Sequence, residues 1–181
     1  MATGEQLAGL DLFSDLRPEH RDVLAQNLRP LDIEAGEHLV TEGVSTQGPL
    51  FIIVAGAVSV SRRDPEGTPR TLATVPPPSV IGEMEFLGEV ESSATVTATE
   101  HIQGYLLPRA RFQALFEAGE PAAYYLALAI GRLVSERLAA TNNLLAKALA
   151  GDAERLLTVQ KAQVNNAPLD QVDEALQALL G

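Results

Sequence analysis

Glu83 and Glu85 stand two positions apart in the segment Ile81-Gly82-Glu83-Met84-Glu85-Phe86-Leu87-Gly88-Glu89-Val90-Glu91-Ser92-Ser93-Ala94-Thr95-Val96. Paired carboxylates can divide acid and base work, but no nucleophile or oxyanion donor accompanies them, so an enzyme is not expected. The three histidines, His20, His38 and His101, lack an i, i+4 spacing and a nearby acidic pair on an expected face, so no metal site is expected either. Cysteine is absent, which excludes a disulfide framework, a thiolate zinc site and a cysteine nucleophile. What the segment offers is a turn. Gly82-Glu83 opens it between two β-rich runs, a layout in which backbone N–H groups can face a bound group.

The elements that must position this turn follow from the chain in order. Residues 1–10 read as a flexible lead-in. From Asp11 a helical period begins, with Phe13, Leu16, Val23, Leu24 and Leu28 able to share a face, and Arg29-Pro30 closes it. Leu31 to Leu107 is rich in Val, Ile, Leu and Thr and is punctuated by Gly36, Gly43, Gly48-Pro49, Gly56, Pro65-Glu66-Gly67 and Pro76-Pro77-Pro78. Short strands with turn signals between them read as a sandwich or jelly roll, with strands expected near 38–41, 50–55, 57–62, 70–75, 93–99 and 102–107. After a helix over 108–119, a long helix is expected from Pro121 to a cap at Gly151, about 30 residues or roughly 45 Å. Its apolar positions are wider than one seam, which suggests two surfaces to cover. Asp152 can cap a further helix to about Val164, and Pro168 can start a last one. The chain thus divides into a lead-in (1–10), a β-roll (11–120), a long helix (121–150) and a helical tail (151–181).

Gly82-Glu83 and Ser93-Ala94-Thr95-Val96, with the strand pair Leu50-Phe51-Ile52-Ile53-Val54-Ala55-Gly56-Ala57-Val58, resemble the cyclic nucleotide-binding domain family, over roughly residues 11–150. The resemblance implies a mainly β fold with added helices: a cyclic nucleotide-binding-like jelly roll with an N-terminal helix, a long C-terminal dimerisation helix and a short helical tail. It implies ligand-binding roles for Gly82, Glu83, Met84, Ser92 and Ser93. Glu83 would accept a hydrogen bond from a ribose hydroxyl, and Ser93 would touch phosphate. Thr141 and Asn142 would read a purine edge, although the same two residues at a dimer seam would set register. In the family the long helix pairs with its mate, so a homodimer through Leu126, Ile130, Leu133, Val134, Arg137, Leu138, Thr141 and Leu145 is expected.

The family's phosphate-clamping arginine is replaced by Ser92. From Thr71 to Pro108 there is no Lys or Arg, while Glu83, Glu85, Glu89, Glu91 and Glu100 all fall there. A charge-assisted hydrogen bond is worth about 1.5–3 kcal/mol, so losing the arginine should weaken phosphate binding by about a hundredfold. No cofactor is expected, and cAMP or cGMP is disfavoured unless Arg62, Arg63, Arg70 or Arg137 supplies the missing charge. A regulatory or interaction module with an unknown protein partner is the favoured reading; a sensor of cyclic nucleotide or another small ligand, with a remodelled pocket, is the alternative.

The net charge of −11 repels phosphate backbones, and no Lys or Arg follows Lys161. Nucleic-acid binding through a tail domain is not expected. No stretch of about 18 apolar residues occurs and the N-terminus lacks a signal-peptide pattern, so a cytoplasmic protein without membrane contact is expected.

Overall fold

The structure, a computed structural model, describes residues 2–44, 48–88 and 91–164. The chain divides into two compact units, Met1–Val134 and Ser135–Gly181.

The first unit opens with helix α1 (Gly4–Ala8), α2 (Asp11–Ser14) and α3 (Pro18–Asn27). The lead-in expected to be flexible is instead helical and capped. Thr3 and Gln6 form a reciprocal cap: the Thr3 hydroxyl accepts from the Gln6 N–H at 3.2 Å, and Gln6 Oε1 accepts from the Thr3 N–H at 3.0 Å. Leu7 and Leu10 are then buried in the core, where each apolar side chain contributes about 1.5–3 kcal/mol.

Eight strands follow: β1 (Arg29–Ile33), β2 (His38–Val40), β3 (Leu50–Ala55), β4 (Val58–Arg63), β5 (Pro69–Val75), β6 (Ser79–Ile81), β7 (Thr95–Ala98) and β8 (Ile102–Leu107). They build two antiparallel sheets, ordered β1-β8-β3-β6 and β2-β7-β4-β5. The continuous apolar run of β3 has a simple cause: both of its faces are covered. Leu50 and Ile52 turn to the helices, joining Phe13, Leu24, Phe86 and Phe112 in one cluster. Phe51 and Ile53 turn the other way, to Val58, Val96 and Ala98 of the second sheet. At Gly104 on β8 the Ile52 carbonyl oxygen lies where a Cβ would be, so only glycine lets the two strands pair.

Two strands were not legible. β1 contains Pro30, which reads as a helix stop, but β1 is a sheet edge, where a missing N–H is tolerated. β6 is three residues long, directly after the proline run.

Helix α4 (Glu83–Leu87) sits between β6 and β7, and α5 (Arg109–Glu117) leads to α6 (Pro121–Val164). Gly151 does not end α6. The helix runs through it to Val164, because the Leu- and Ala-rich flanks outweigh the roughly 1 kcal/mol that a helical glycine costs. The helix expected to begin afresh at Asp152 is part of α6, and the helix expected from Pro168 lies outside the described residues.

Candidate functional site

The turn predicted to carry binding chemistry is built by Gly82. Its φ of +83° lets the chain leave β6 and enter α4, and a Cβ there would stand 2.9 Å from the Pro49 carbonyl oxygen. Gly82 is one wall of a cavity of about 150 Å³. Leu39, Val40, Val44, Pro49 and Phe51 make its apolar side. Its polar side is Thr41, Ser92 and Glu85, and Glu85 is its one ionisable lining group among the described residues.

Ser92 is 3% exposed. Its hydroxyl donates to the Val44 carbonyl at 3.2 Å, its N–H reaches the same oxygen at 3.3 Å, and its carbonyl accepts from the Gly43 N–H at 2.9 Å. The position that carries a guanidinium in the resembled pattern is here locked to the turn at residues 43–44. Glu85 is 7% exposed, and among the described residues no hydrogen bond or ion pair holds its carboxylate.

The other expected ligand residues separate. Glu83 is buried in the first turn of α4 but does not line the cavity. Met84 and Ser93 are exposed and do not line it either. Thr141 and Asn142 are exposed in the second unit, where the Thr141 hydroxyl donates to the Arg137 carbonyl of its own helix at 2.9 Å.

The hairpin arginines proposed as replacement cations are engaged elsewhere. Arg62 approaches Glu42 at 3.6 Å, Arg63 donates to the Gly67 carbonyl at 2.9 Å, and Arg70 pairs with Asp64 at 3.0 Å. The Arg70 guanidinium holds the Asp64 carboxyl below its usual range.

Arg109, the first cation after the long cation-free stretch, does serve the site, from behind. Its Nη1 donates to the carbonyls of Glu85 and Gly88, each at 2.9 Å, and so holds the C-terminal end of α4. Beside it a chain of aromatic contacts leads from α4 to α6. Phe86 meets Phe112 at 4.8 Å between ring centroids, Phe112 meets Phe116 at 6.1 Å, and Phe116 meets Tyr124 at 4.5 Å. These contacts join α4 to α5 and to the first turns of α6.

The dimer surface needs correction. Leu126 and Ile130 are fully buried in the protein's own core, and Leu133 and Val134 are half-buried against it. The period that seemed to serve a second chain is, in these turns, the stripe that packs α6 on its own unit. Leu138, Leu145 and Leu149 are exposed. No helix among the described residues is long and apolar enough to cross a membrane.

A jelly roll closed by helices, with a glycine-capped turn and a short helix walling a cavity, is the architecture of the cyclic nucleotide-binding domains. The cyclic nucleotide-binding domain model matches residues 30–133, and the chain belongs to that family. It is 34% identical over 109 residues to the acetyltransferase Pat of Mycolicibacterium smegmatis, covering 60% of this chain but only 32% of that protein. Among solved structures, the catabolite activator protein of Thermus thermophilus superposes with a TM-score of 0.67 at 25% identity, over 94% of this chain and 86% of that one. The regulatory subunit of a cAMP-independent protein kinase A from Trypanosoma cruzi, bound to guanosine, is 31% identical with a TM-score of 0.55, over 60% of this chain and 38% of that one. Its Trypanosoma brucei counterpart, 25% identical with a TM-score of 0.60 over 70% of this chain and 44% of that one, was seen with cAMP in its A site as a triple mutant. There a glutamate had become alanine and, seven and eight positions on, a threonine had become arginine and a valine alanine.

Proposed function

We propose that the chain is a non-enzymatic regulatory module of the cyclic nucleotide-binding family whose cavity does not accept a cyclic phosphodiester, and which acts as a dimer through the exposed part of α6. The observation that carries this reading is the Glu85 carboxylate, buried in the wall of a cavity that no Lys or Arg lines among the described residues. An anion placed there meets a like charge in a medium of lowered dielectric, with no guanidinium to offset it.

The Trypanosoma brucei mutant supports this. The glutamate and threonine replaced there stand seven positions apart, and so do Glu85 and Ser92. In this chain the two corresponding substitutions are expected to work together, because an arginine at position 92 alone would have Glu85 in the same cavity lining to pair with. The test is calorimetry with cAMP on the wild type, on Ser92→Arg and on Glu85→Ala/Ser92→Arg. The double variant is expected to gain about a hundredfold over wild type and the single variant much less. Wild-type binding at micromolar cAMP would contradict the reading.

A second reading, a sensor of a small uncharged ligand, is favoured by the cavity itself and by the guanosine bound to the Trypanosoma cruzi relative. Occupancy would then pass through Arg109 and the aromatic contacts to α6.

A further inference from the structure

We infer that the cavity's occupant is an uncharged riboside, a nucleoside without phosphate, held by neighbouring sugar hydroxyls on the Glu85 carboxylate. The inference rests on the reading that phosphodiesters are refused. Glu85 is only 7% exposed and lines an open cavity, and among the described residues no donor stands on its carboxylate, so a ligand with donors can bind there. Ser92 spends its hydroxyl proton on the Val44 carbonyl and presents only lone pairs. Glu85 and Ser92 therefore both accept, and a ligand that reaches these two must donate to them, Thr41 being the third polar residue of the lining.

Two adjacent hydroxyls of a furanose supply donors matched to the two carboxylate oxygens. An ammonium would also suit the charge, but it needs acceptors on several sides. The lining also includes Leu39, Val44 and Phe51, apolar surface for the carbon face of a sugar. At about 150 Å³ the cavity is roughly half the ~300 Å³ at which pockets for drug-sized ligands begin. It has room for a sugar and leaves the base at the mouth, so the identity of the base should matter little.

The test is calorimetry on the full chain with guanosine, adenosine, 2′-deoxyguanosine, guanosine 5′-monophosphate, cGMP and propylamine. Guanosine and adenosine are expected to bind within about tenfold of each other, and 2′-deoxyguanosine about tenfold more weakly. The monophosphate and cGMP are expected to bind at least about a hundredfold more weakly than guanosine. Glu85→Gln should lower guanosine affinity about tenfold, with far-UV circular dichroism and melting temperature unchanged; Glu85→Ala repeats the test if the amide variant is unstable. Binding of cGMP to the wild type would overturn the refusal of phosphodiesters itself. No binding of either nucleoside, or binding of propylamine in their place, would overturn this inference and leave that refusal standing.

Discussion

A single carboxylate can set what a cavity admits when nothing else in its wall is charged. Among the described residues of the lining Glu85 has that position, and Ser92 spends its hydroxyl on the Val44 carbonyl. A different acid shows the opposite behaviour. Asp32 accepts from His101 Nε2 at 2.8 Å, and this hydrogen bond raises the imidazole pKa above its ordinary value. A raised folded-state pKa means that the pair stabilises the fold at pH below the ordinary histidine range and that this contribution is lost as pH rises through the raised value. Both groups are exposed, so the effect on stability is small, but it is readable by NMR: the His101 titration midpoint should fall toward the ordinary value in Asp32→Asn. An unchanged midpoint would show that Asp32 is not the cause. At this scale the sequence was legible where chemistry is lost and opaque where it is gained. The missing guanidinium shows as Ser92 in a familiar pattern, whereas Glu85 was one of several acids in a loop, and only the turn set by Gly82 tells which one faces inward.

Among the elements, α4 depends most on a partner from outside. Five residues form too short a helix to hold itself, and Arg109 takes up two carbonyls at its C-terminal end. Arg109→Ala should destabilise the protein by about 2 kcal/mol in urea titration, and Arg109→Lys should recover only part of that, since one ammonium cannot reproduce the guanidinium's reach. Full rescue by lysine would reduce the role of Arg109 to charge alone. β3 was readable because it carries a long apolar run, and α3 because an apolar helical period runs up to Arg29-Pro30. β1 hid behind Pro30, and the end of α6 was misread at Gly151, because a residue's preference is local while an edge position or a long propensity-rich flank is not. Arg109 is illegible for the same reason: it lies just past the cation-free stretch in sequence, and only the packing of α5 against α4 brings it to the site.

For the whole molecule, the division of α6 decides how copies could meet. Its first turns are committed to the core, through Ala122, Ala123, Leu126 and Ile130. Further along, Leu138, Thr141 and Leu145 follow a three-then-four spacing and are all exposed, a seam suited to a second helix. Leu138→Glu and Leu145→Glu should therefore halve the mass seen by light scattering at tens of micromolar while leaving the fold intact, whereas Ile130→Glu should unfold the first unit. A wild type already monomeric there would remove the dimer. Whether the cavity refuses a cyclic phosphodiester is measured by isothermal calorimetry of the unmodified full chain with cAMP. No measurable heat of binding is expected up to about millimolar ligand. Saturable binding with a micromolar dissociation constant would contradict it.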